Sequence, residues 1–306
     1  MTTARPLRLR RSELSTPGSS PRMLEKAAAS AADLVFCDLE DSVAPAEKET
    51  ARDNVVDALQ GLDWGAKTRA VRVNAVDTPY CLDDVTEVVR RAGAHLDVLI
   101  VPKVKHPRDV WFVDTLLDQL EAKVALEGRI GIEVLIEEVE GLIAVEEIAR
   151  CSPRVEAVIL GFGDLSASQG VRVRAIGGEG GYPGDLWHYA RAKTVVAARA
   201  AAVDAIDGPY ANFRNPDGYQ REAAWSATLG FVGKWAIHPS QIELANEVYS
   251  PTEDEVVGAR RVIDAYDQAA GGGRGAADLG GAMIDAATVR ILRNTLERAD
   301  LIEART

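Results

Sequence analysis

The chain has 306 residues, of which 47% are hydrophobic and 27% are charged, a balance typical of a globular protein with a sizeable core. Its 35 basic and 47 acidic side chains give a formal charge of −12, which argues against nucleic acid or an anionic membrane as the main partner. The length suits two domains of ordinary size, or one α/β barrel with an appendage.

The cysteines and the N-terminal segment favour a cytoplasmic protein. Cys37, Cys81 and Cys151 are scattered and lack CxxC spacing, so we expect reduced thiols in the core and neither a disulfide framework nor a zinc site. The N-terminus is basic but lacks the apolar region of a signal peptide, and no run approaches the roughly 18 apolar residues of a membrane span. Residues 1–30 carry six basic and two acidic side chains, which suit a solvated arm or a site for a small anion.

Eight short apolar runs predict strands that alternate with helices along the chain. The predicted strands are 12–16, 34–39, 69–73, 98–101, 130–136, 155–160, 203–206 and 231–237, of which the first is the most polar. The predicted helices are 21–32, 46–59, 83–92, 107–120, 138–150, 185–202, 217–229 and 239–248. Eight strand-helix units indicate a (β/α)8 TIM barrel, an α/β fold, and not an open Rossmann sheet.

A C-terminal extension follows the eighth unit. Residues 251–270 have the pattern of a further helix, residues 271–281 (GGGRGAADLGG) form a flexible glycine-rich linker, and residues 282–301 predict a final helix. Apolar residues recur along that last helix, which favours docking over a disordered tail. We therefore predict a barrel domain over 1–250 and a helical extension and lid over 251–306.

Polar residues stand just after the predicted strands, where the active site of a TIM barrel is built. A single such residue would be no more than a helix cap, but the number here predicts an active site. In chain order the set comprises Pro17 and Gly18, then Asp38, Glu40 and Asp41, then Arg72 and Asn74, then Lys103, Glu137, Asp164, Asp207 and His238.

Glu137 and Asp164 follow the fifth and sixth strands, so their carboxylates can converge. Carboxylates without matching histidine or cysteine favour a hard cation, Mg²⁺ before zinc. The alternative is structural: Glu137 then caps a helix and Asp164 closes a GFGD turn.

Arg72, in the motif RVN, can hold a carboxylate or an enolate oxygen. It can also form a buried ion pair with the acidic DLED motif, whose Asp38, Glu40 and Asp41 are expected to orient Arg72, Lys48 or metal-bound water. His238 is more typical of a structural hydrogen-bonding residue than of a base. Neither GxGxxG nor a P-loop is present, so nicotinamide and nucleotide-triphosphate chemistry have no support.

At these residues the chain resembles the HpcH/HpaI aldolase and citrate lyase β-subunit-like superfamily, and most closely its malyl-CoA lyase branch. The motifs that carry the resemblance span nearly the whole chain in order. They are RSELSTPGSSPRMLEKAAASAAD, DLEDSVAPAEK, RVN, IVPKV, EVLIEEVEG, GFGDLSAS, GKWAIHPSQIELANEVYSP and GGAMIDAATVR.

The resemblance implies a TIM barrel that binds Mg²⁺, with Mn²⁺ as an alternative, through Glu137 and Asp164. It implies that Arg72 faces the reacting carbonyls and that Asp285, in the C-terminal lid, is the catalytic base. The lid of this family closes over the active site of a neighbouring subunit, so we expect a homo-oligomer, a trimer or a hexamer.

The resemblance also implies coenzyme A contacts by Ser15, Arg22 and Lys26. The family often has arginine where this chain has Ser20, which removes one expected phosphate contact. Asp38, Glu40, Asp41, Lys48, Asn74 and His238 are expected to support the site.

The implied activity is reversible Claisen-type cleavage of L-malyl-CoA, β-methylmalyl-CoA or citramalyl-CoA. The products are glyoxylate or pyruvate and acetyl-CoA or propionyl-CoA; the sequence does not rank these substrates, because one methyl group changes selectivity by only about 1 to 3 kcal/mol. Three alternatives stay open. They are a malyl-CoA thioesterase, a carrier-dependent subunit like the citrate lyase β-chain, and a binding module without chemistry.

Overall fold

Eight parallel strands, taken in chain order, close into a barrel in which β1 pairs with both β2 and β8. The computed structural model describes residues 5–172, 185–272, 276–279 and 282–305. The barrel strands are β1 Ser12–Pro17, β2 Leu34–Asp38, β3 Thr68–Arg72, β4 Val98–Val101, β5 Gly131–Ile136, β6 Val155–Leu160, β7 Asp204–Asp207 and β8 Gly233–Ala236. The predicted TIM barrel is confirmed.

Helices follow the strands. They are α1 Pro21–Ala28, α2 Lys48–Gly61, α3 Cys81–Ala92, α4 Pro107–Val124, α5 Val139–Ile143, α6 Val145–Arg150, α7 Phe162–Ser168, α8 His188–Ala200, α9 Pro216–Leu229 and α10 Ile242–Val248. Two further helices, α11 Glu253–Gly271 and α12 Ala286–Glu303, and two short strands, β9 Ala277–Leu279 and β10 Ala282–Ile284, complete the chain.

The strands read as unbroken apolar runs because both of their faces are buried. In β2, Val35 and Cys37 belong to the outer core that the helices cover, whereas Leu34 and Phe36 belong to a core made only of barrel-strand residues. This alternation with a period of two places every second side chain inside the barrel.

A charged layer fills the amino-terminal end of the barrel. Arg10, just before β1, donates to Glu133 (2.7 Å), Glu156 (2.6 Å) and Asp204 (3.0 Å). Glu13 is fully buried beside them and accepts a hydrogen bond from the indole of Trp235 (2.9 Å). The sequence analysis did not predict this layer.

The chain divides into two compact units, Met1–Pro6 with Arg10–Tyr249, and Leu7–Leu9 with Ser250–Thr306. In the second unit, Thr252 and Glu255 form a capping box at the start of α11. Arg305 donates to the carbonyl of Leu7 (2.9 Å), which ties the two segments of this unit together. None of the helices in the described ranges is long and apolar enough to cross a membrane.

Several predicted elements differ from the structure. The helix predicted over 138–150 is divided into α5 and α6 at Ala144, and the one over 239–248 begins as the 3-10 helix Pro239–Gln241. Within the predicted glycine-rich linker, Ala277–Leu279 pairs antiparallel with Ala282–Ile284, so α12 begins at Ala286 and not at 282. The linker residues 273–275, 280 and 281 lie outside the described residues.

Candidate active site

Five carboxylates lie at or just beyond the carboxyl ends of β2, β5 and β6, and we call them the acidic cluster. Asp38, Glu40 and Glu137 are buried, whereas the side chains of Asp41 and Asp164 are 57% and 42% exposed. Arg72 and Lys103 are the cations within 4.0 Å of these carboxylates in the described part of the chain. The structure therefore brings these predicted strand-end residues together at one end of the barrel.

Arg72, at the end of β3, contacts two carboxylates and two aromatic rings. Its Nε and Nη2 donate to the two oxygens of Asp38, each at 2.7 Å, and its Nη1 lies 3.1 Å from Glu40 Oε2. The guanidinium also lies 5.4 Å from the ring of Trp235 and 5.9 Å from that of Phe36. The predicted ion pair with the DLED motif is present, and it fixes the orientation of a planar cation at the barrel mouth.

Burial opposes ionisation of Asp38, but the Arg72 charge and its two hydrogen bonds outweigh it and lower the pKa of Asp38. Asp38 also accepts from the amides of Glu40 (2.9 Å) and Ser42 (3.2 Å). A single ionised carboxylate thus orients Arg72 and shapes the turn that carries Glu40 and Asp41.

Lys103 contacts four of the five carboxylates. Its amide donates to Glu137 Oε1 (3.0 Å), and its ammonium donates to Glu40 and to Asp41 (3.1 Å) and lies 4.0 Å from Asp164. The sequence analysis placed Lys103 at a strand end without a role, because nothing in the residue order indicates contacts with residues more than thirty positions away.

Gly161 leaves room for the side chain of Glu137. A Cβ at Gly161 would lie 2.8 Å from both Cβ and Oε2 of Glu137, so no larger residue fits without displacement. The Gly161 amide donates to the carbonyl of Ile136 (2.9 Å), and α7 begins at the next residue. Asp164 lies in the first turn of α7. The structural alternative, in which Asp164 closes a GFGD turn, is therefore wrong. Helix α7 was not predicted because its seven residues show no clear helical period.

Burial, followed by the charges of Glu40 and Asp164, raises the pKa of Glu137 to about 8. With every group ionised, five carboxylates against two cations leave a net charge of −3 in the cluster. Glu137 and Asp164 are hard oxygen donors, so they fit Mg²⁺, which is commonly held by one or two carboxylates with water and substrate oxygens completing its shell. No group of three or more histidine, cysteine, aspartate or glutamate side chains in the described part of the chain has metal-binding geometry.

A set of buried polar residues forms hydrogen bonds that hold the DLED turn in place. The Lys48 ammonium donates to the carbonyls of Leu39 and Glu40 and to the Asn74 amide oxygen, each at 2.7 Å. Asn74 in turn donates to Asp84 from its amide (2.9 Å) and its side chain (2.6 Å). Lys48 and Asn74 are thus supporting residues, and Asp84 is one that the sequence analysis missed, although an acidic residue in the first turn of α3 was a usable signal.

Two predicted strand-end residues do not join the acidic cluster. Asp207 is fully buried and pairs with Arg191 (3.0 Å) and Lys234 (2.6 Å), which fixes α8 against β7 and β8. His238 is exposed, accepts from the amide of Ser240 (3.2 Å) and stacks on Phe213 at 4.6 Å. His238 therefore makes hydrogen-bonding and stacking contacts outside the acidic cluster.

The residues expected to bind coenzyme A lie on β1 and α1. Ser15 is half-buried, and Arg22 and Lys26 are exposed one helical turn apart. Neither basic side chain has a hydrogen bond or ion pair within the described ranges. Ser20 is the N-cap residue of α1, but its side chain makes no capping hydrogen bond.

Asp285 belongs to the second unit and is the N-cap residue of α12. Its Oδ1 accepts from the amides of Thr288 (2.9 Å) and Ala287 (3.0 Å) and from the Thr288 hydroxyl (3.1 Å). The Thr288 bonds are the main cause of a lowered pKa, so Asp285 is a carboxylate at neutral pH.

Residues 11–239 match the HpcH/HpaI aldolase/citrate lyase family. The chain is 42% identical to L-malyl-CoA/β-methylmalyl-CoA lyase of Cereibacter sphaeroides, over 98% of either protein. It is 36% identical to (3S)-malyl-CoA thioesterase of the same species, over 96% of either protein. The crystal structure of protein CitE from Mycobacterium tuberculosis in complex with magnesium, acetoacetate and coenzyme A matches with a TM-score of 0.75 and 28% identity, and covers 95% of this chain and 98% of that one.

Proposed function

The chain belongs to the HpcH/HpaI aldolase/citrate lyase family, and from this premise we propose that it is an acyl-CoA lyase. It cleaves the carbon–carbon bond of L-malyl-CoA and β-methylmalyl-CoA, giving glyoxylate with acetyl-CoA or propionyl-CoA, and catalyses the reverse condensation. Citramalyl-CoA, which gives pyruvate, is a third candidate substrate. The 42% identity to a lyase of the first two substrates, over 98% of the chain, supports this choice.

The observation that carries the proposal is the acidic cluster, in which five carboxylates meet two cations among the described residues. We propose that Glu137 and Asp164 hold Mg²⁺, or Mn²⁺ in its place. When bound, the cation supplies Lewis acidity toward the oxygens of the glyoxylate fragment. A divalent charge would offset most of the net charge of −3 of the fully ionised cluster.

Arg72 stabilises negative charge on the thioester side of the reaction. When the carbon–carbon bond breaks, its electron pair passes to the acyl-CoA fragment, and the thioester oxygen becomes that of an enolate. A guanidinium already fixed by Asp38 needs no reorganisation to face this oxygen, and such preorganised charge is a large source of rate enhancement.

Asp285 completes the reaction at the α-carbon. In condensation it removes the α-proton of acetyl-CoA or propionyl-CoA, and the new alkoxide takes up a proton from water. In cleavage the hydroxyl proton leaves to water as the aldehyde forms, and the protonated form of Asp285 gives its proton to the enolate carbon. Its Oδ1 accepts the capping bonds, which leaves Oδ2 to exchange the proton. We propose that Asp285 acts from a lid shared between subunits of a homo-oligomer, a trimer or a hexamer, in the cytoplasm.

The coenzyme A moiety carries phosphates that need positive partners, and we propose Arg22 and Lys26 for this role. Both are exposed and have no acidic partner in the described part of the chain, so neither must give up an ion pair to bind a phosphate. We propose that Ser15, a half-buried residue of β1, contributes a further contact to the same ligand.

A thioesterase is the second candidate, because a (3S)-malyl-CoA thioesterase is 36% identical over 96% of the chain. In that reaction an activated water attacks the thioester carbon and releases free coenzyme A and malate. The two activities share a substrate, and glyoxylate distinguishes them because only the lyase produces it.

The cation site is tested with isosteric amides. Glu137→Gln and Asp164→Asn should each weaken Mg²⁺ binding by at least about tenfold in isothermal titration and abolish turnover, because each removes one anionic ligand. Glu140→Gln, which changes an exposed carboxylate three residues from Glu137, is the matched control and should behave like the wild type. Unchanged Mg²⁺ affinity in both cluster variants, or full activity in EDTA, would refute this site.

A further inference from the structure

Lys103 has an unusual backbone for a lysine. Its φ of 51° lies in the left-handed region, which is unfavourable for a non-glycine residue. Such conformations persist where the surroundings require them, and they are common at functional sites. The amide of Lys103 donates to Glu137 Oε1 at 3.0 Å in this conformation.

The side chain of Lys103 contacts further carboxylates of the acidic cluster. Its ammonium donates to Glu40 and Asp41, and it lies 4.0 Å from Asp164. One residue therefore engages an oxygen of Glu137 through its backbone and two further carboxylates through its side chain. Glycine would relieve the backbone but could not supply the ammonium.

We infer that Lys103 is the positioning residue that limits which carboxylates can bind the cation. Its ammonium holds Glu40 and Asp41, and its amide holds Glu137 Oε1. Asp164 and the second oxygen of Glu137 are then left as ligands, and the cation keeps open positions for substrate oxygens. This inference rests on the proposed function, because it assumes a cation at Glu137 and Asp164.

Removal of the Lys103 charge should strengthen Mg²⁺ binding, whereas removal of a carboxylate ligand weakens it. A positive charge this close to the cation site repels the cation, so removing it should strengthen binding. Removing it also frees Asp41 and Oε1 of Glu40, whose Oε2 stays beside Arg72, to coordinate the cation. This adds negative ligands and fills positions that the substrate needs. Lys103 thus keeps cation affinity lower than the acidic cluster alone would give, in exchange for an open and strongly Lewis-acidic site.

The test compares Lys103→Met, which keeps the length of the side chain without its charge, with Lys103→Arg, which keeps the charge. In isothermal titration with Mg²⁺ at fixed pH and ionic strength, Lys103→Met should bind roughly tenfold more tightly than the wild type. Lys103→Arg should stay within about threefold. At saturating Mg²⁺, kcat of Lys103→Met should fall.

Lys105→Met is the matched control. Within the described ranges the Lys105 ammonium pairs with Asp77 (3.5 Å) and with no carboxylate of the acidic cluster, so the substitution should leave both affinity and turnover unchanged. Lys103→Gly removes the ammonium while favouring the observed φ, so it should fold and bind Mg²⁺ as tightly as Lys103→Met.

Unchanged or weaker Mg²⁺ binding in folded Lys103→Met and Lys103→Gly would overturn the inference. Failure of the proposed function would look different, because the wild type itself would then bind no Mg²⁺ or release no glyoxylate from malyl-CoA.

Discussion

At the scale of single residues, buried charged groups shape both the candidate active site and the amino-terminal end of the barrel. Glu13 is fully buried in the charged layer at the amino-terminal end of the barrel. Its Oε2 accepts from Trp235, and its Oε1 has no hydrogen-bond partner within the described ranges. Burial, and then the charge of Glu133, raise the pKa of Glu13 well above its ordinary value of 4.5, although Arg10 opposes this. The raised pKa favours the neutral acid form of Glu13 in the folded protein.

A neutral Glu13 makes stability depend on pH in a definite direction. Above about pH 4.5 the unfolded chain releases this proton while the folded chain keeps it, so this residue's contribution to stability falls as pH rises toward the folded pKa. Glu13→Gln mimics the neutral acid and should unfold at higher urea concentration than the wild type at pH 8, with a smaller advantage at pH 5.

Glu156→Gln is the contrasting control, because Glu156 pairs with Arg10 at 2.6 Å. The same substitution there removes a charge from a buried ion pair and should destabilise the protein by roughly 3 kcal/mol. If Glu13→Gln were also destabilising at pH 8, Glu13 would have to be ionised in the folded state.

Single residues also show which features could be predicted from the sequence and which could not. Glu137, Asp164 and Arg72 were predictable because the barrel rule assigns a location to any residue that follows a strand. The contacts of Lys103 with Glu40 and of Arg10 with Glu133 could not be predicted. They join residues that are 63 and 123 positions apart and share no local pattern.

At the scale of elements, apolar strands were predicted more accurately than short or irregular segments. Val98–Val101 and Val155–Leu160 match the prediction at both ends, since each is a fully buried run. The hairpin of β9 and β10 was missed because strands of three residues cannot show alternation. The break between α5 and α6 at Ala144 was missed because no glycine or proline marks it.

The end of α4 offers a test of helix termination. Ala125, its C-cap residue, is exposed and has a φ of 53°, a conformation that favours glycine. Ala125→Gly should therefore stabilise the protein by about 1 kcal/mol in urea unfolding. Ala122→Gly, at an exposed position inside the same helix, should destabilise it by about 1 kcal/mol. Equal effects of the two substitutions would show that the left-handed conformation carries no strain.

At the scale of the whole molecule, the acidic balance of the chain restricts where an anionic thioester can bind. With a formal charge of −12, the protein repels such a ligand on average, and the exposed pair Arg22 and Lys26 is the local attraction that we propose for it.

The role of Asp285 is tested across subunits. Asp285→Asn should keep the start of α12, because asparagine caps a helix as well as aspartate does, but it cannot accept the α-proton. The variant should therefore bind acyl-CoA and Mg²⁺ normally and lose turnover. Asp285→Ala, which also loses the cap, separates the two roles because it alone should lower stability.

Mixing inactive Asp285→Asn chains with inactive Glu137→Gln chains then asks whether the site is shared. If one subunit supplies the barrel and another the lid, random exchange should restore roughly a quarter of the wild-type activity. An inactive oligomer that demonstrably contains both chains would place Asp285 in the site of its own chain or outside catalysis.

The central claim is that this chain breaks a carbon–carbon bond at the acidic cluster with the help of Mg²⁺. The most direct measurement is to incubate the purified protein and Mg²⁺ with L-malyl-CoA, and separately with glyoxylate and acetyl-CoA or propionyl-CoA, and to identify all products by mass spectrometry. We predict glyoxylate and acetyl-CoA in equal amounts from the first mixture, the corresponding malyl-CoA thioesters from the second, and neither reaction with Glu137→Gln. Free coenzyme A and malate without glyoxylate would contradict the account and identify a thioesterase.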